Sequence, residues 1–203
     1  MTRILYIHGL NSSPASTKAR QLLSAMRQMG IAERLQVPAL HHHPRQAIAQ
    51  LEALIAAAGE DQQVLVGSSL GGYYATFLAH RHGLKTLLIN PSVLPHKRCA
   101  AFSEVQTNHY TGEIWRPTED HVTALAELAV LAPQDPQSCQ VWLQTADETL
   151  DYRESEAFYR ACSLRIQAGG DHGFQGFAER LPALFAFAGI DPALWRNIDF
   201  PNL

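Results

Sequence analysis

The chain has 203 residues, 46% hydrophobic and 17% charged, with a formal net charge of −3. This composition excludes a disordered polymer, and its interleaved charges form no basic stripe that could track a phosphate backbone, so no nucleic-acid partner is expected. A chain this long buries roughly 70% of its unfolded surface and needs no metal or disulfide staple.

The N-terminus, MTRILYIHGL, has no basic region followed by an apolar core and a cleavage site. It reads as a strand over residues 3–7 that starts at once. A helix follows over 15–29, with Ser13 as its cap and Pro14 in its first turn. Residues 35–37 are a short strand candidate. Residues 45–58 are helical, because Ile48, Leu51, Leu54, Ile55 and Ala58 share one face. A strand at 63–66 leads into a helix at 70–82, and a strand follows at 85–89. Further strands are expected at 140–144 and 164–167, with helices at 121–131, 152–162 and 175–188.

Strand and helix thus alternate about six times. Parallel neighbours need crossovers of a dozen or more residues, so this rhythm predicts an α/β fold, a mostly parallel sheet of about six strands with helices on both faces. One domain over 1–203 is expected. Residues 92–140 break the rhythm and read either as a lid-like excursion over the strand ends or as an ordinary crossover with a long loop. The apolar stretch Leu181–Ile190 is too short to span a bilayer and contains Pro182. The odd, widely spaced Cys99, Cys139 and Cys162 read as ordinary thiols of a reducing compartment. A cytoplasmic protein without a membrane span is expected.

Ligands of open parallel sheets bind beyond the carboxyl ends of the strands, so chemistry should sit just after a strand. The strongest local signal is VLVGSSLGG, in which Gly67, Ser69 and Gly71 fit G-x-S-x-G. The chain must turn sharply there from strand to helix and hold Ser69 in a strained conformation, with small residues either side allowing close backbone approach. A phosphate cradle would need a lysine that Leu70-Gly71-Gly72 does not supply.

A serine hydroxyl needs a base, and this fold orders its groups as Ser, then Asp or Glu, then His. Asp147 follows the strand ending at Gln144, and His172 follows the last strand, flanked by Gly169, Gly170 and Gly173. Asp147 lies closest to its strand and is the chosen carboxylate. Asp151 is second, and Glu148 is expected to face solvent. The oxyanion hole is assigned to the backbone N–H groups of Leu70 and of Leu10, with Gly9 letting its loop swing close and His8 shaping it. His41–His43 precede Pro44 and read as a solvated loop rather than metal ligands, since consecutive residues do not converge on one ion. No metal and no cofactor are expected.

Six stretches carry a resemblance: YIHGLNSSPAS, VGSSLGGYYATFLA, INPSV, YTGE, QTADETLDYR and GGDHGFQGF. With them the chain resembles the small bacterial YqiA/YcfP-type esterases of the α/β-hydrolase superfamily over nearly its whole length. Only the tail after about Ile190 matches poorly. The resemblance implies an esterase with Ser69, Asp147 and His172 as triad, acting on small molecules, namely short acyl esters and acyl-CoA thioesters. Two other readings stay open. One is an acyltransferase using the same site; the other is a binding protein that kept the fold and lost catalysis. The oligomeric state and the role of His41–His43 are open as well.

Overall fold

The computed structural model describes residues 1–102 and 104–203, without the side chains of residues 99–102, so that of Cys99 lies outside it. Six parallel strands form the main sheet: β1 (Thr2–Ile7), β2 (Leu35–Gln36), β3 (Gln62–Ser68), β4 (Lys85–Ile89), β7 (Cys139–Gln144) and β8 (Ser163–Gln167). Their spatial order is β2-β1-β3-β4-β7-β8. Two further strands, β5 (Gln106–Thr107) and β6 (Ile114–Trp115), make a separate antiparallel hairpin.

Side-chain alternation along each strand divides the core into two layers. One layer joins Ile4, Tyr6, Val64, Val66, Leu87, Ile89 and Trp142 to α1 (Thr17–Gln28) and α6 (Phe177–Ala188). The other joins Leu5, Ile7, Leu65, Leu88, Val141 and Leu143 to α2 (Pro44–Ala57), α3 (Leu70–His82) and α4 (Glu119–Glu127). Strand β3 is covered on both sides, which explains its unbroken apolar run Val64-Leu65-Val66. The helix α5 (Tyr152–Phe158) connects β7 to β8.

The order of strands places a topological switch between β1 and β3. From β1 the chain moves outward to β2, then returns to the other side of β1 for β3 and continues away. Crossovers leaving β1 and β3 therefore lie on opposite faces, and a crevice opens where their carboxyl ends part. Ile7 pairs with Gly67 at that end of the sheet.

Several expected boundaries shift for local reasons. Helix α1 begins at Thr17, after Ser16. The buried Ser13 forms a preceding turn instead, its Oγ accepting from the Ala15 N–H and its carbonyl from the Ser16 N–H. Helix α4 begins two residues early because Thr118 and His121 cap its start reciprocally, a role for histidine that the Glu/Gln capping pattern does not anticipate. Helix α6 begins late: the Gln175 N–H is held by Gln144 Oε1, and Gly176 follows at φ +71°. Residues 92–140 hold the hairpin and α4 between the neighbouring strands β4 and β7. Among the described residues, no helix is long and apolar enough to cross a membrane.

Candidate active site

Ser69 sits between the end of β3 and the start of α3 with φ 56° and ψ −123°, a conformation most side chains avoid. Neighbouring backbone holds it there: its N–H donates to the Ile89 carbonyl at 3.1 Å, and its own carbonyl accepts from the Ser92 N–H at 3.0 Å. The turn closes only because its flanks are bare. A Cβ on Gly67 would lie 2.7 Å from the Gly72 Cα, and one on Gly71 would overlap the carbonyl of Ile7. Gly9 brings the loop after β1 against the Ser69 side chain.

The two partners arrive from adjacent strands. Pairing of β7 with β8 continues past the strand ends, through Thr145 N–H to the Gln167 carbonyl and Ala146 N–H to the Gly169 carbonyl. The loops carrying Asp147 and His172 are thereby held side by side. His172 Nε2 lies 2.9 Å from Ser69 Oγ, and its Nδ1 lies 2.8 Å from Asp147 Oδ2. The Asp147 side chain is only 2% exposed. Burial works to raise its pKa, but His172 and the N–H groups of Leu150 and Thr149 outweigh it, and the carboxyl is held below the ordinary aspartate value. An ionised Asp147 accepts a proton-bearing Nδ1–H, which leaves Nε2 free to accept from the serine hydroxyl.

The rival carboxylates go elsewhere. Asp151 caps α5, accepting from the Arg153 N–H. Glu148 is exposed, as its position suggests, yet its Oε2 accepts the backbone N–H of His172 at 3.0 Å. It thus holds the histidine loop, a role the sequence reading did not give it.

Two buried amides behind the site were also missed. Asn90, just after β4, donates through Nδ2 to the Asp171 carbonyl and accepts through Oδ1 from the Gln144 N–H. Gln144, the last residue of β7, is fully buried; its Oε1 accepts from the N–H groups of Asp171 and Gln175, and its Nε2 donates to the Gln175 carbonyl. A Cβ on Gly170 would overlap this side chain. The available signal was a polar residue directly after the apolar run Val141-Trp142-Leu143, since buried amides must be hydrogen-bonded.

Leu70 opens α3, and Leu10 lies in the loop after β1; both line one recess beside the serine. His8 is buried beneath that loop, with Nδ1 donating to the Gly9 carbonyl and Nε2 accepting from the Leu40 N–H. Burial lowers its pKa, consistent with a neutral, structural imidazole. Asn11, at φ 52°, ties the same loop to the hairpin: its Oδ1 accepts from Trp115 Nε1, and its Nδ2 donates to Gln106 Oε1.

The histidine triplet is packed rather than loose. His42 stacks on Trp115 with ring centroids 4.6 Å apart and faces His121, while His43 Nε2 reaches Asp120 at 2.8 Å. Among the described residues, no group of three or more His, Cys, Asp or Glu side chains is arranged to hold a metal ion.

The sequence model described as "Uncharacterised protein family (UPF0227)" matches residues 3–189. The chain belongs to UPF0227. This is the YqiA-type family to which the motifs pointed. A UPF0227 protein of Shewanella woodyi is 27% identical over 192 residues, covering 91% of this chain and 98% of that protein. Among solved structures, Est1E from Butyrivibrio proteoclasticus, with ferulic acid bound, superposes with a TM-score of 0.72 at 12% identity, covering 95% of this chain and 90% of that one. A metagenome-derived lipolytic enzyme from work on LipS and LipT gives a TM-score of 0.71 at 16% identity, covering 94% of each chain. The UPF0227 chain therefore has the α/β-hydrolase fold.

Proposed function

We propose that this UPF0227 protein is a serine hydrolase that cleaves carboxylic esters, and acyl thioesters by the same route, through Ser69, His172 and Asp147. The observation that carries the reading is the unbroken hydrogen-bond relay from Ser69 Oγ through both nitrogens of His172 to a buried, ionised Asp147. Fold likeness to Est1E and to a lipolytic enzyme is consistent with it, but the relay is the physical argument.

Ser69 Oγ attacks the acyl carbonyl carbon as His172 Nε2 takes its proton. Asp147 fixes the tautomer and stabilises the imidazolium. The N–H groups of Leu10 and Leu70 hold the tetrahedral oxyanion, aided by the start of α3. Collapse expels the alcohol or thiol, which His172 protonates. Water then gives a proton to His172 and attacks the acyl-enzyme, releasing the acid and restoring Ser69.

Replacing Ser69 by Ala should lower p-nitrophenyl acetate turnover on the order of 10⁶-fold in kcat, with folding unchanged. Wild-type rates in that variant would end the assignment. A fluorophosphonate probe separates this reading from a non-catalytic binding protein: stoichiometric labelling at Ser69 requires an activated hydroxyl, and an unlabelled protein supports mere binding.

A further inference from the structure

The geometry points to Lys18 as a specificity-determining residue that selects esters whose leaving group carries a carboxylate or phosphate. This deepens the hydrolase reading and rests on it. Lys18 lies in the first turn of α1 and lines the same cavity, of about 140 Å³, as Ser69 and His172. That cavity adjoins a larger recess of about 400 Å³, and Lys18, Ser12, Ser16 and Gly173 line both. Among the described residues, Lys18 is the one lysine or arginine in either wall.

Its position fixes which half of the substrate it meets. Lys18 Nζ donates to the carbonyl of Gly173 at 2.7 Å, directly after His172. His172 must protonate the leaving group, so the leaving group lies on the histidine side of the serine. The recess lined by Leu10, Leu70 and Trp115 holds only about 30 Å³ and is lined by neither Ser69 nor His172, so the cavity of Lys18 is the roomier space beside the reacting groups. An anion on the alcohol or thiol half would therefore approach the ammonium.

The surroundings favour such an anion. One of the three ammonium donors is used on Gly173, and burial pushes the group down to about 8 against the pull of Asp171 and Asp147. It stays mostly protonated at neutral pH, and a desolvated ammonium gains from a counter-ion. Helix α1 has no side-chain cap and no acidic residue in its first turn, and the buried Ser16 Oγ has no hydrogen-bond partner. Asp171 also lines the larger recess, so the preference is confined to an anionic group that reaches Lys18.

The test compares 4-acetoxybenzoate with its neutral methyl ester on wild type and Lys18→Met. The variant should lose about tenfold or more in kcat/KM for the anion, the scale of one charge-assisted hydrogen bond, and change little for the methyl ester. Lys18→Arg should restore part of the ratio. Equal losses on both esters would mean that Lys18 only braces the histidine loop, and no loss on either would mean that it does nothing; both overturn the proposal. Calorimetric binding of the two intact esters to Ser69→Ala, with and without Lys18→Met, gives a readout independent of turnover. Lysine-dependent preference for the anion supports the proposal, and equal binding or none overturns it. Loss of Ser69-dependent turnover and labelling in the wild type would instead count against the hydrolase reading.

Discussion

At the scale of single residues, three carboxylates within five positions have three different fates. Asp147 is buried against His172, Glu148 accepts a backbone N–H, and Asp151 caps α5. The proposed mechanism assigns the imidazole tautomer to Asp147 alone. Asp147→Asn should therefore lower kcat by roughly 10⁴-fold, the size seen when a triad carboxylate becomes an amide. Asp151→Asn should leave kcat within about threefold and stability nearly unchanged, since an asparagine oxygen can accept the Arg153 N–H as the aspartate does. Steady-state kinetics on a neutral ester distinguishes them, and equal losses would refute the assignment. Because the folded Asp147 pKa is depressed, its contribution to stability is present above the ordinary aspartate value of about 3.9 and is lost as pH falls through the lower folded value.

Behind the site, Gln144 acts through others. Its side chain spans from the end of β7 to the N–H groups of Asp171 and Gln175. Removing it leaves those donors without their acceptor and the histidine loop unsupported. Gln144→Ala should destabilise the fold by about 1–3 kcal/mol, read from the urea midpoint. It should also lower kcat more than it raises KM, because His172 is displaced rather than the substrate contacts. A KM effect alone would contradict a positioning role.

Among the elements, the β5–β6 hairpin lies against the loop after β1, joined to it by Asn11 and by Asn108 Nδ2 donating to the Ser12 carbonyl. Trp115 of the hairpin stacks with His42 and His121. Burial first, then the neighbouring histidines, lowers the pKa of His42 and His121, while Glu113 and Asp120 pull the other way. Lowered folded values mean that the neutral stack stabilises this packing above about pH 6.5 and loses that contribution as pH falls through the folded values. Acidification from about pH 8 to about pH 5 should therefore change the emission of Trp115, isolated as the difference between wild type and Trp115→Phe, while far-UV ellipticity holds. An unchanged difference spectrum would show that protonation does not reach the stack. The hairpin was not legible in the sequence because strands of two residues carry no periodicity.

At the scale of the whole molecule, the proposed relay exists only while β3, β7 and β8 are held in one sheet. Ser69 and His172 are 103 residues apart, and no local segment contains both. Fluorophosphonate labelling of Ser69 and far-UV ellipticity should thus disappear in a single urea transition. Labelling that survives the loss of the sheet would mean that the serine is reactive without its partners.

What the sequence by itself determined were features written over short distances: the alternation of apolar strands with amphipathic helices, the glycine-flanked serine between β3 and α3, and the order of serine, carboxylate and histidine at three strand ends. Each depends on a few neighbouring residues and on the periods of strand and helix. Only the tertiary structure decided which carboxylate meets the imidazole, that Asn90 and Gln144 brace the loop, that His42 stacks on Trp115 rather than facing water, and that Lys18 enters the serine cavity. Those outcomes depend on side chains tens of residues apart meeting at one sheet edge, and a one-dimensional pattern does not encode which of several equivalent polar groups the packing will bury.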